Sequence, residues 1–253
     1  MTKRDWYPAG APCWVETLQP DPRAALAFYG PLFGWAFDEA ASMPGGLEGE
    51  HFAARVAGRL VAAVGQAPQS SPTVWSTYVR VDELEQTLGR AEDAGGQRLA
   101  GPFDAGSDGR LAVLADATGV PFCLWQAGRR IGAELVGEPS AWAMSSLHTT
   151  DLGRAQAFYG GLFGWELAPV PDAAFSQWRL AEQVVAVVTA TDGVAVPPHW
   201  SVNFAVRDAD VTAQQAVALG GSVLTGPMDT PGLRNAIIAD PQGGVIAISA
   251  SAP

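Results

Sequence analysis

Four times along the chain a short run of strand-like residues gives way to a stretch in which apolar positions recur every three or four residues. In the first of these, Leu26, Tyr29, Leu32 and Phe33 fall on one face of a helix. Asp21 stands where a helix cap is wanted, Pro22 suits the first helical position, and Gly34 closes the pattern. Asp151 and Gly164 bracket a second copy in which Leu162 and Phe163 repeat the end of the stripe. The phrase itself is nearly duplicated, "AFYGPLFGW" at 27–35 and "AFYGGLFGW" at 157–165.

The parallel resumes downstream at a slightly different spacing. "WSTYVRVDELEQTLGRAEDAGGQRLAGPFD" (75–104) answers "WSVNFAVRDADVTAQQAVALGGSVLTGPMD" (200–229). Each reads as a strand, a helix ending at Gly-Gly, and a strand leading to Gly-Pro. "LAVLADATGVPFCLW" (111–125) and "NAIIADPQGGVIAIS" (235–249) each read as strand, Asp-and-Gly turn, strand, the chemistry of a hairpin. A fainter repetition inside each half places the same order around 11–66, 72–126, 141–192 and 198–250. The pattern predicts an α+β chain of four βαβββ modules, paired into two domains at 8–127 and 141–253 with a linker at 128–140. One continuous α/β domain would instead need longer helices alternating one-for-one with strands.

Composition narrows the function classes. The chain has 253 residues, 48% of them apolar and 16% charged, which suits a folded core. No apolar run has the length of a membrane span, and the start "MTKRDWYPAG" lacks the apolar centre of a signal peptide. Two cysteines, Cys13 and Cys123, make no disulfide framework, so a cytoplasmic protein is expected. The net charge is −11 and the arginines are scattered apart from "GRR" at 128–130, which argues against a nucleic-acid partner.

"DPRAALAFYGPLFGW", "VDELEQTL…AGG", "GPFD" and "DATGVPFCLWQ" together resemble the vicinal oxygen chelate superfamily, the glyoxalase, bleomycin-resistance and extradiol-dioxygenase group, and most of all its tandem, glyoxalase-like branch. The resemblance covers nearly the whole chain. It implies sheets curved around a cavity in each domain, with the duplicated phrase as a helix packed behind each sheet. In metal-using members the resemblance implies, His or Glu ligands line the cavity. The corresponding positions here are Trp14 and Met144 for the first ligand, Ser76 and Ser201 for the second, and Cys123 and Ala247 for the last. An indole has no free lone pair, a thioether is too soft for Mg, Mn or Fe(II), and a lone hydroxyl is a weak ligand. The strands near 60–64 and 184–188 contain no carboxylate. No metal and no cofactor is therefore expected.

Side chains alternate along a strand, so Trp14, Glu16 and Leu18 share a face. A carboxylate walled by indole is expected to be desolvated, with a raised pKa, and to serve as general base or hydrogen-bond acceptor. Pairing of Glu16 with Arg80 or Arg110 is the structural alternative. Ser146 holds the matching position in the second half. Tyr78 shares parity with Ser76, and Asn203 with Ser201, as polar handles. Trp14, Trp125 and Trp178 are expected near a ligand, and Trp35, Trp165, Trp75 and Trp200 in packing. His51 is expected to face solvent and His199 the rim. His148 shares parity with Met144 and Ser146, and reads as a structural residue, a cavity acid–base or a metal ligand. Three functions follow: a metal-free protein binding a small hydrophobic or planar molecule, a metal-independent enzyme using Glu16 or His148, and a metal-dependent lyase, isomerase or dioxygenase. A small-molecule ligand is the expected partner, in a monomer or a homodimer.

Overall fold

The structure is a computed structural model that describes residues 3–69, 71–171, 173–191 and 197–251. The first module runs β1 (Pro12–Gln19), α1 (Pro22–Phe33), the short β2 (Ala36–Phe37) and β3 (Ala41–Ser42), β4 (Glu50–Val56) and β5 (Arg59–Gln66). The second is β6 (Val74–Val81), α2 (Leu84–Asp93), β7 (Gln97–Asp104), β8 (Gly109–Ala115) and β9 (Pro121–Ala127). The third is β10 (Trp142–Thr149), α3 (Leu152–Phe163), β11 (Glu166–Pro169), β12 (Ser176–Leu180) and β13 (Gln183–Ala190). The fourth is β14 (His199–Ala205), α4 (Ala209–Ala218), β15 (Ser222–Thr230), β16 (Leu233–Ala239) and β17 (Val245–Ser251). The duplicated phrase is α1 and α3. Asp21 and Asp151 cap them by accepting from the Ala24 and Arg154 amides, and Gly34 and Gly164 end them at φ 66° and 75°, a left-handed turn that glycine adopts without strain.

Two modules form each sheet. In the first the order is β2-β4-β5-β1-β6-β9-β8-β7, with β3 on β4, and in the second β11-β12-β13-β10-β14-β17-β16-β15. Both sheets are curved and unclosed. The modules join where β1 meets β6 and β10 meets β14, antiparallel in each case.

The halves stand back to back, and their cores are shared. On the helix side α1 packs against α4, and α2 against α3. One core joins Phe28, Tyr29, Phe33, Trp35 and Trp75 of the first half to Phe204, Ala213, Ile238 and Ile248 of the second. The other joins Leu84, Leu88, Leu114 and Phe122 to Phe158, Tyr159, Trp165 and Trp178. Between the central strands, the Thr77 and Ser145 hydroxyls meet at 2.7 Å. Each core therefore spans both halves, because α1 meets α4 and α2 meets α3 across the join.

The duplicated tyrosine ties this arrangement together. Tyr29 OH donates to Asp240 Oδ2 in the opposite half (2.7 Å) and accepts from Trp75 Nε1 (2.9 Å). Tyr159 OH donates to Asp116 Oδ2 (2.8 Å) and accepts from Trp200 Nε1 (3.0 Å). The other oxygen of each aspartate holds its hairpin turn through backbone amides, at Thr118 and Val120 in one half and at Gln242 and Gly244 in the other. Residues 128–140 are equally fixed: Ala133 is buried, donates from its amide to Cys13 O and accepts from Tyr7 OH.

Candidate functional site

The concave face of the first sheet is roofed. Residues 43–47 form a strap that turns over the mouth and meets Phe103 of β7. At Gly45, with φ 68°, a Cβ would lie 2.5 Å from the Phe103 ring, so the strap can sit this close only with glycine there. Beneath it lies a cavity of about 420 Å³, walled mainly by apolar side chains including Leu18, Met43, Leu111 and Val113. That size and lining fit a small-molecule pocket.

Strand register decides which polar groups enter it. Trp14, Tyr78 and Cys123 form one row across β1, β6 and β9, and Glu16 stands opposite Ser76 one step along. Glu16, Ser76, Tyr78 and Cys123 all line the cavity. Trp14 and Trp125 share the face but lie beyond the cavity, where Arg130 fills the space between them, its guanidinium 5.5 Å from one indole and 5.3 Å from the other. Arg130 also pairs with Asp108 at 3.1 Å.

Glu16 is 6% exposed and His51 is 6% exposed, and their Nε2–Oε2 distance is 3.4 Å. Trp14 Nε1 donates to the same Oε2, also at 3.4 Å. Burial pushes the Glu16 pKa up, but His51, Arg130 and the indole N–H together outweigh it and hold the carboxyl below its ordinary value. Two expectations are corrected here. His51 faces inward rather than to solvent, because β4 places it on the concave side beside β5. The Glu16 pKa is lowered, not raised, because desolvation is offset by these neighbours. Nor do the suggested arginine partners apply: Arg80 pairs with Asp82 and Arg110 with Glu85. Cys123 is pushed up to about 12 by burial and by Glu16, so it stays a thiol, and Tyr78 is likewise held as a phenol.

Behind this wall is a second, polar cleft of about 370 Å³, lined by His51, Arg55, Asp108, Arg130 and Glu134 among others. The Glu16–His51 pair separates the two spaces. Sequence reasoning missed His51 and Arg130 as site residues. The signal for Arg130 was its place in "GRR", but the pairing of a linker residue with two strand indoles is a tertiary fact.

In the second half the same face is open among the described residues. Met144, Ser146, Ser201 and Asn203 occupy the positions of Trp14, Glu16, Ser76 and Tyr78, and all are partly exposed. Asn203 accepts from Ser249 Oγ at 3.0 Å. Met144 lines a shallow cleft of about 100 Å³ against Tyr7 and Trp142. His148 stacks on its cross-strand neighbour His199, centroids 4.5 Å apart, and burial followed by His199 lowers its pKa to about 4. Trp178 is a further correction: it is fully buried on the helix side against Tyr159 and Trp165 rather than in a cavity, since it pairs with Ala186, whose side chain faces the core.

The donors present do not fit the ion used by metal-dependent superfamily members. The row on the concave face offers the Trp14 indole beyond the cavity and a phenol and a protonated thiol within it, and among the described residues no three His, Cys, Asp or Glu side chains come together. Among them, too, no helix is long and apolar enough to cross a membrane.

Comparison with known proteins agrees with this architecture. A family model for the glyoxalase-like domain matches twice, at residues 14–125 and 142–249. The chain is 38% identical to "Putative glyoxylase CFP32" of Mycobacterium tuberculosis, covering 100% of this chain and 99% of that protein. It is 36% identical to the anthracycline biosynthesis protein DnrV of Streptomyces peucetius, covering 94% and 92%. Among solved structures, the Mn(II)-bound glyoxalase from Novosphingobium aromaticivorans superposes with a TM-score of 0.64 at 16% identity, covering 96% of this chain and 82% of that one. With both halves matched and each built as two βαβββ modules, the chain belongs to the glyoxalase-like family of the vicinal oxygen chelate superfamily.

Proposed function

We propose that the first half binds a small, flat, largely apolar molecule without a metal ion, and that the second half is its structural partner. The observation that carries this reading is the roofed cavity of about 420 Å³, apolar apart from Glu16 and a few neutral polar groups. The name of one relative, an anthracycline biosynthesis protein, supports a polycyclic aromatic ligand class. The lowered Glu16 pKa favours an ionised anchor over a general base, which works best near the operating pH. Proton transfer remains the second reading, favoured by the contact of Glu16 with His51. His148, on the open face and stacked on His199, has no such carboxylate contact.

Tryptophan-fluorescence titration with 9-anthracenemethanol tests the proposal. Saturable quenching is expected, unchanged by EDTA, and elemental analysis should find less than about a tenth of an equivalent of Zn, Mn, Fe or Ni. Absence of quenching overturns binding, and a chelator-sensitive full equivalent of metal overturns the metal-free reading.

A further inference from the structure

Both contacts that hold Glu16, from His51 and from Trp14, end on Oε2. Oε1 makes neither, and the residue lines the apolar cavity. The groups that lower its pKa from beyond the wall are His51 and Arg130, which line the outer polar cleft, and Arg130 is engaged by Asp108 and by two indoles. Among the described residues, no lysine or arginine lines the cavity. Seen from inside, Glu16 is the one formal charge on the deep wall among the described residues, and the other titratable groups described there are Tyr78 and Cys123, with His199 also on the lining.

We propose that the cavity selects for cations: its ligand is an apolar, flat body carrying a protonated amine that seats on Glu16 Oε1. The inference rests on the binding role proposed above and adds the chemical class. A carboxylate in a low-dielectric wall attracts an ammonium strongly, and a charge-assisted hydrogen bond to the free oxygen repays part of the amine's desolvation. A carboxylate ligand would bring like charges together in the same poorly solvated space, with no lysine or arginine among the described lining residues to separate them. Tyr78 and Phe103 add aromatic surface on which a cationic body is tolerated. The chain's net charge of −11 acts in the same direction at long range.

Three probes with one three-ring body and different charge make the test: 9-(aminomethyl)anthracene, 9-anthracenemethanol and anthracene-9-carboxylate, titrated at one pH and salt concentration. The amine is expected to bind about tenfold tighter than the alcohol, and the carboxylate at least about tenfold weaker than the alcohol. Glu16→Gln should bring amine and alcohol to similar affinity. Should that variant fold poorly, Glu16→Asp keeps the charge and should keep the order amine, alcohol, carboxylate. Alcohol and amine binding equally in the unmodified protein, or a preference that survives Glu16→Gln, overturns the inference but leaves a binding cavity. If none of the three binds, the cavity reading itself fails.

Discussion

The two halves share a helix phrase, a module order and a sheet topology, yet one encloses a cavity and the other presents an open face. The difference lies in the connection from β2 to β4 in the first half, which carries the short β3, and from β11 to β12 in the second. In the first half, residues 38–49 separate β2 from β4 and include the strap that meets Phe103. In the second, only residues 170–175 separate β11 from β12. This shorter connection falls where the spacing between the sequence repeats changes. Side chains on the two faces follow suit: the first buries Glu16 and His51, whereas the second leaves Met228 47% and Ile237 39% exposed. Duplication has kept the scaffold in both halves, while the roofed cavity lies on the first sheet with His199 and Trp200 of the second half at its edge.

The shared cores show a complementary exchange. Where one core combines Ala54 with Phe204, register places Trp178 and Val79 at the matching positions of the other. A large side chain in each is balanced by a small one from the opposite half. Truncating either large residue therefore opens a void that the other half cannot fill. Phe204→Ala and Trp178→Ala are each expected to cost about 3–5 kcal/mol in chemical denaturation. Because each core spans both halves, both variants should still unfold in one transition. Two resolved transitions, one per half, would show that the cores are separate.

The next effect separates the two tyrosine ties. Asp240 Oδ2 also accepts from Gln19 at 2.7 Å, so Tyr29→Phe leaves it one partner. Asp116 Oδ2 accepts only from Tyr159 among the described contacts. Tyr159→Phe should cost about 2–3 kcal/mol and Tyr29→Phe about 1–2, since a buried carboxylate oxygen is left unpaired only in the first case. Equal costs would mean that Gln19 contributes nothing to the asymmetry.

Replacing residues 38–49 with the sequence of 170–175 tests the roof directly. Affinity for 9-anthracenemethanol should fall at least about tenfold, or about 1.4 kcal/mol, with the melting temperature little changed. An unaltered affinity would place the binding surface outside the strapped cavity.

Much of this was legible before any coordinates. Helix caps at Asp21 and Asp151, the glycine ends and the hairpin turns are local signals, strand parity put Trp14 with Glu16 and Ser76 with Tyr78, and the register sets these side by side with Cys123, which the family resemblance had marked. What escaped depended on partners distant in sequence. Nothing local to "GEHFAARV" shows that His51 turns toward Glu16, and Arg130 reads as a linker charge until β1 and β9 bring two indoles around it. Trp178 was misplaced because short β12 carries a bulge after it, which weakens parity as a guide. The role of Tyr29 and Tyr159 needed the opposite half, since their aspartate partners lie 211 and 43 residues away.

The smallest expected effect concerns acid sensitivity of the open half. In the fold His148 has a pKa of about 4, below the ordinary 6.5, because burial and the stacked His199 disfavour its charged form. Between those two values the unfolded chain binds a proton that the native chain does not, so this residue erodes stability as pH falls from about 6.5 toward about 4 and contributes nothing above that window. The ring is partly exposed, so solvent screening keeps the effect modest. His148→Ala should flatten the decline across that window in pH-dependent urea melts while leaving 9-anthracenemethanol affinity unchanged. A matching loss of affinity would link the open face to the cavity, through His199, whose ring stacks on His148 and which also lines the roofed space.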